Sequence, residues 1–512
     1  MSFFESLIAL LAAAVVLLQV SRRLAIPYPT MLAAAGVALA LLPGAPAINL
    51  DPHMALPLFI APVLVDAAFD FPVQAARRYW RPLFALAVLA VAVSAAAVAW
   101  LGVNMAGMPL YAALALGAIV APPDAAAATA ILSNVRMPRR SVTVLKGESL
   151  LNDATALLLF SAAVSMHNGA GVDAELVFHL GLAAPGGLLL GYLIARVFRR
   201  LAPLITGTLG GNIMEFVSCF GVWILAERLG FSPVLCLVAF AMTIARGAGL
   251  TTHPRVRIHT FAVWTSAVFL LNVLAFLLMG FQARTIVDAM EPQRLREAGL
   301  FALAVIGAVI AVRMFWVLAY NILARQFRWV SGGGATATFR QGILVGWCGM
   351  RGLVTLATAF ALPASFPQRD LIVLTAFAVV LATLVVQGLT LAPLVRLLKL
   401  DGEDGATNEL AAARAELSAA ALTTLEGNPG PIADHWRQSF ETRRAAALTG
   451  DDAELAEKRR LGLAALRRQR ERLEELRAEQ RVDGDSFLIL QEELDFAEVA
   501  LVGEAGQHIE EN

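Results

Sequence analysis

Gly147-Glu148-Ser149-Leu150-Leu151-Asn152-Asp153-Ala154-Thr155 places two carboxylates and an asparagine inside Val142–Val164, a run that otherwise reads as lipid-buried helix. An ionisable group at membrane depth is costly unless paired or hydrated, so such groups mark ion paths, proton relays or binding sites. On a helix Glu148 and Asn152 lie four apart and share a face, as do Ser149 and Asp153. The segment therefore sends two acids in different directions, and the fold has to house both.

The surrounding composition sets the medium. Of 512 residues, 58% are hydrophobic and 16% charged. Soluble domains run at about 25% charged, so the chain reads as a polytopic membrane protein whose first partner is the lipid bilayer. A formal net charge of zero gives no electrostatic footprint for nucleic acid. Cys219, Cys236 and Cys348 all fall in apolar runs, without the paired spacing of a disulfide framework or a zinc site. They read as small core residues, and no cofactor is expected. Met1-Ser2-Phe3-Phe4-Glu5 lacks the basic start of a signal peptide and reads as the opening of a first span.

Apolar runs long enough to cross roughly 30 Å of hydrocarbon recur down to Leu398. Thirteen are expected, near 3–20, 28–43, 54–71, 82–102, 110–132, 141–166, 177–198, 212–229, 231–249, 258–281, 298–323, 337–361 and 370–397. Alternate connections carry the basic residues, among them Arg22/Arg23, Arg77/Arg78/Arg81, Arg199/Arg200 and Arg396/Lys399. Of the intervening connections, 44–53, 103–109 and 167–176 have none, and only 282–297, with Arg284, Arg294 and Arg296 offset by Asp288, Glu291 and Glu297, breaks the contrast. The positive-inside rule then puts the N-terminus outside and the C-terminus in the cytoplasm, as an odd span number requires. After Leu400 the composition shifts to Ala, Glu, Arg and Leu, dividing the chain into a transmembrane domain, 1–400, and a cytosolic helical tail, 401–512. Leu461, Leu466, Leu473 and Leu476 are helically spaced among charges of both signs, the pattern of a solvated helix pair or short coiled coil.

Other spans carry their own polar anomalies. Asp66 and Asp70 sit in the third, though both also admit an interfacial reading before Arg77. In the fifth, Pro122-Pro123-Asp124 must break or kink the helix, because proline removes a backbone donor and clashes with the preceding turn. In the twelfth, Arg351 stands among Gly346, Gly349 and Gly352. Two interrupted spans in separated halves point to an inverted-repeat secondary transporter, with spans one to six and eight to thirteen as the repeats. Broken helices expose carbonyls at the midplane, where a small cation can exchange its water shell for protein oxygens. A carboxylate in such a pocket holds a proton or a hard monovalent cation, not both together. Arg351 needs a partner at that depth, and Glu148 is the expected one, leaving Asp153 as the exchanging ligand.

At these residues the chain resembles the sodium/proton exchanger (monovalent cation:proton antiporter) family in its bacterial form. The likeness is carried by Gly147 to Asp153, Gly117 to Asp124, Val63 to Ala68, Phe276 to Gln282, Gly349-Met350-Arg351-Gly352 and Thr383 to Thr390, and spans residues 5–398. The resemblance implies an all-α fold of two inverted repeats with discontinuous crossing helices, and a homodimer in the bacterial plasma membrane. It implies that Asp153 carries the Na+ or other monovalent cation and the proton in turn, with Asn152 beside it and Asp124 as a further ligand. It implies Glu148 and Arg351 as a structural ion pair and electroneutral exchange. Two departures stand out: Pro123 where the family has a threonine before Asp124, and Asp66 where it has a glutamate. A K+/H+ antiporter of the same mechanism and a non-transporting membrane sensor remain alternatives. An intramembrane aspartyl protease would carry a Gly-x-Gly-Asp motif, and none occurs.

Overall fold

The computed structural model describes residues 52–124, 139–167, 174–202, 209–246, 254–327, 337–400 and 405–502, with a few positions before residue 33. The first two expected spans and the far half of the fifth lie largely outside the described residues. Within them, every regular element is helical.

The membrane unit begins with α1 (Pro52–Phe69), α2 (Val73–Arg78) and α3 (Trp80–Phe84). A π-turn at Ala85–Leu89 joins α3 to α4 (Ala90–Ala106). Ala85 O accepts from the Ala90 N–H that closes this turn and also from Trp316 Nε1 at 3.0 Å. Then come α5 (Leu110–Val120), α6 (Arg139–His167), α7 (Ala174–Leu201), α8 (Leu209–Arg228) and α9 (Pro233–Ala245). The long α10 (Pro254–Ala289) and α11 (Pro292–Gln326) follow, then α12 (Phe339–Trp347), α13 (Leu353–Phe360) and α14 (Arg369–Leu398). Among the described residues six helices are long and apolar enough to cross a membrane, and Met54–Phe69, Leu110–Val120 and Pro233–Ala245 are shorter apolar helices.

The breaks fall where the residues demand them. α5 stops at Val120, one residue before Ala121-Pro122-Pro123, and an irregular segment carries the chain to Asp124. α12 starts with a capping box, Thr338 accepting from Gln341 N–H while the Gln341 side chain accepts from Thr338 N–H. It ends at Trp347, and Cys348–Gly352 runs without helix to α13.

α6 is the hub. Leu145 packs with Phe59, Phe276, Leu344, Met350 and Leu384 in one apolar cluster. Phe160 joins Leu116, Ile119, Val305 and Val379 in a second, and Leu150 and Ala154 join Leu64, Trp223, Leu237, Trp264 and Ala357 in a third. Burial of this kind is worth about 1.5–3 kcal/mol per large side chain relative to water, and in lipid it is close packing that holds helices together. α6 therefore has little freedom to move without its neighbours.

The chain divides into two compact units, Met1–Gly402 and Glu403–Asn512. The second contains two helix pairs, α15 (Gly405–Leu425) with α16 (Pro431–Thr449), and α17 (Ala453–Ala478) with α18 (Gly484–Leu501). Of the expected leucine stripe, Leu466 and Leu473 are buried, while Leu461 is exposed. Arg470 reaches from α17 to Asp495 and Glu498 on α18 at 2.5 and 2.7 Å, and Arg477 lies over the Phe487 ring at 4.3 Å.

Candidate functional site

The segment that follows α5 and the gap between α12 and α13 meet backbone to backbone. Asp124 N–H donates to Met350 O at 2.7 Å, so the segment after α5 pairs with the one between α12 and α13. Asn152 on α6 ties in the third element, its Nδ2 donating to Pro123 O at 2.7 Å. That bond fixes which way the amide points. Its Oδ1 is buried and has no hydrogen-bond partner among the described residues.

Arg351 is fully buried at this crossing and its donors go to carbonyls. Its Nε donates to Val120 O at 3.1 Å, Nη2 to Ala121 O at 3.4 Å, and Nη1 to Gly349 O. Its backbone N–H donates to Thr383 Oγ1 at 3.1 Å on α14. A helix C-terminus leaves carbonyls unpaired and carries roughly half a negative charge, and Arg351 answers both at the end of α5. Asp124 plays the opposite part. A Cβ at Gly352 would overlap its carboxylate, so the acid lies against the N-cap residue of α13, where the dipole end is positive.

Here the sequence expectation is corrected. Glu148 was assigned to Arg351, but its ion pair is with Arg313 of α11: Nη1–Oε1 at 2.5 Å and Nη2–Oε2 at 3.2 Å. Both side chains are buried, and Arg313 Nη2 also donates to Val345 O at 3.3 Å. The physical reason is the competing demand of the α5 carbonyls, which take the Arg351 guanidinium. Glu148 and Arg313 still act on Arg351 electrostatically, but at longer range. Arg313 was missed, although a charged residue inside the otherwise apolar stretch 298–320 of this helix is itself a signal. Gly349 makes room for it: a Cβ there would run into Arg313 Cδ.

Asp153 is 9% exposed and has no ion pair among the described residues. Asp124 is close enough to interact with it electrostatically. Asp66 lies partly buried on α1, which packs against α6 through Leu64 and Ala68 on one side and Leu150 and Ala154 on the other. The structure thus brings Asp124, Asn152, Asp153 and Arg351 to one crossing and sets the Glu148–Arg313 pair beside it. Asp70 and Lys146 are exposed. The three cysteines are buried and unpaired.

The match to the transmembrane sodium/hydrogen exchanger family covers residues 7–397. An uncharacterised Na+/H+ exchanger of Mycobacterium tuberculosis is 32% identical over 525 residues, spanning 98% of this chain and 96% of its own. The low-affinity Na+/H+ antiporter NhaS1 of a Synechocystis strain is 28% identical over 71% of this chain and 68% of its own. The solved sodium proton antiporter MjNhaP1 from Methanocaldococcus jannaschii superposes with a TM-score of 0.61 at 17% identity, over 79% of this chain and 100% of that one. That last likeness is one of fold.

Proposed function

The chain belongs to the sodium/hydrogen exchanger family, and from that premise we propose that it exchanges Na+ for H+ across the bacterial plasma membrane, one for one. The proposal has both ions compete for Asp153 in a site that opens to each side in turn. A cation/proton exchanger, a transporter rather than an enzyme, is the activity the family supports; ion, stoichiometry and mechanism are the further reading.

One observation carries it. Asp153 is a buried carboxylate without a counter-ion among the described residues, beside Asp124 and an asparagine oxygen that has no donor. Arg351 and Arg313 are occupied elsewhere, with helix carbonyls and Glu148. An unpaired carboxylate at this depth is neutralised by whatever cation reaches it, H+ or Na+. Carboxylate and amide oxygens suit a hard monovalent cation, so Asp153, Asp124 and Asn152 Oδ1 are the ligands we assign, with Asp66 on the approach. Moving the bare anion through the low-dielectric interior is costly while moving its neutralised form is cheap, so the site crosses only when loaded. That asymmetry couples the two fluxes. With asparagine rather than a second acid at 152, one titrating carboxylate serves one cation. A homodimer, with the N-terminus outside and the C-terminus in the cytoplasm, completes the proposal.

Everted vesicles test it. Adding Na+ to respiring vesicles should collapse an imposed pH gradient, and Asp153→Ala should leave the gradient standing. Full activity in Asp153→Ala would end the reading, and a panel of Na+, K+ and Li+ would separate a sodium carrier from a potassium one.

A further inference from the structure

The corner between α1 and α3 has two unlike faces. Its inner face closes on α6 at the residue before Glu148: a Cβ at Gly147 would lie 2.5 Å from Phe71 Cζ and 2.8 Å from Leu83 Cδ2. There is no slack in that contact, so a shift of the corner is felt by α6. The outer face is cationic and aromatic. Arg77, Arg78 and Trp80 are exposed, with Trp80 at 57% and Phe84, one turn on, at 50%. The Arg78 guanidinium lies over Tyr79 at 5.6 Å, and that of Arg81 over Trp80 at 5.4 Å. No acid occurs anywhere between Phe71 and Pro123, so Arg77 and Arg78 have no carboxylate on their own stretch of chain.

Exposed tryptophan at the start of an apolar span sits at headgroup level, and guanidinium forks match phosphate oxygens. Basic residues beside a span attract anionic lipid. We propose that Arg77 and Arg78, with Trp80 as the interfacial anchor, hold the headgroup of an anionic phospholipid, and that the bound lipid steadies this corner against Gly147 and so sets how readily α6 carries its ions. The leaflet, cytoplasmic, rests on the orientation proposed above; the lipid site itself does not.

The experiment has a binding arm and a transport arm, both on the full chain in liposomes. In the first, tryptophan fluorescence is quenched by brominated phosphatidylglycerol or brominated phosphatidylcholine, and subtracting Trp80→Phe isolates Trp80. Trp80 should be quenched more by the anionic lipid, and R77Q/R78Q should weaken that preference roughly tenfold while R77K/R78K keeps most of it. In the second, cation-driven proton flux should rise when phosphatidylglycerol is added to phosphatidylcholine, and R77Q/R78Q should lose the rise. Equal quenching by both lipids, or a preference that survives R77Q/R78Q, overturns the site and leaves the arginines as orientation signals only. A lipid preference without any change in flux overturns the link through Gly147. Absence of flux in every lipid counts against the transport reading, and the quenching arm still judges the site.

Discussion

Glu148 and Arg313 are both withdrawn from water, and the worth of such a pair depends on which half is removed. Taking away one partner leaves an uncompensated buried charge and costs about 3–5 kcal/mol, whereas replacing both with apolar groups is often close to neutral. Arg313→Met alone should therefore lower the melting temperature of the purified protein sharply, and Glu148→Gln with Arg313→Met should recover part of the loss. A thermal double-mutant cycle should give Glu148 a larger coupling to Arg313 than to Arg351. The reverse order would reinstate the pairing expected from the sequence. Asn152 bears a different test. Asn152→Ala removes the donor to Pro123 O and the only oxygen that residue 152 brings to the site. An unpaired buried carbonyl costs about 1–3 kcal/mol, and the cation concentration for half-maximal exchange should rise. An unchanged value would take Asn152 out of the ligand set. At this scale the expense of burying Asp153, Asn152 and Asp124 in a membrane was legible and the structure brings the three together, while their role as ion ligands is the proposal made above. The partner of Glu148 was not, since two arginines stood at similar depth and only the backbone ends of α5 decide between them.

The helix breaks were legible for the same kind of reason. Pro122-Pro123 forbids continuation of α5, and Gly349 and Gly352 bracket the gap before α13. What the residues could not announce is that the two gaps pair through Asp124 N–H and Met350 O, with Arg351 and Asp124 facing helix ends of opposite polarity. That arrangement makes Gly352 intolerant of a side chain. Gly352→Ala would push a methyl into the Asp124 carboxylate, and exchange should fall at least tenfold with the protein still monodisperse on size exclusion; near-normal exchange would show that the carboxylate can move aside at no cost to function. In the tail, Asp483 caps α18 by accepting from Ser486 N–H at 2.7 Å. That backbone bond, with the Ser486 hydroxyl, holds its carboxyl below the usual value of 3.8. A depressed carboxylate pKa stabilises above the ordinary value, and the contribution fades as pH falls through the depressed one. Amide exchange at Ser486 in the full chain should thus be slow near neutrality and accelerate in acid, relative to Asp483→Ala, which should show no such step.

At the scale of the whole molecule, the tail has the means to hold its own fold. Leu466, Leu473 and Phe487 are buried within it, and Arg470 bridges α17 to α18. Its exposed ion pairs add little each, about 0–1 kcal/mol, so those few apolar contacts matter most. Contacts within the folded chain divide it between Gly402 and Glu403. Span number and repeat symmetry were less legible, because hydropathy counts apolar length and sees neither register nor handedness. None of the residues assigned to the ions lies beyond 400, and Arg340 Nη1 donates to Leu398 O at 3.5 Å inside the membrane unit itself. A chain ending at Leu400 should therefore retain cation-driven proton flux in liposomes while its pH profile moves, if the tail modulates turnover and does not perform it. The comparison needs flux measured across a range of pH on truncated protein of equal monodispersity. A truncated protein that is well folded yet silent at every pH would put the tail inside the transport cycle, and one with an unmoved profile would leave it without a part in regulation.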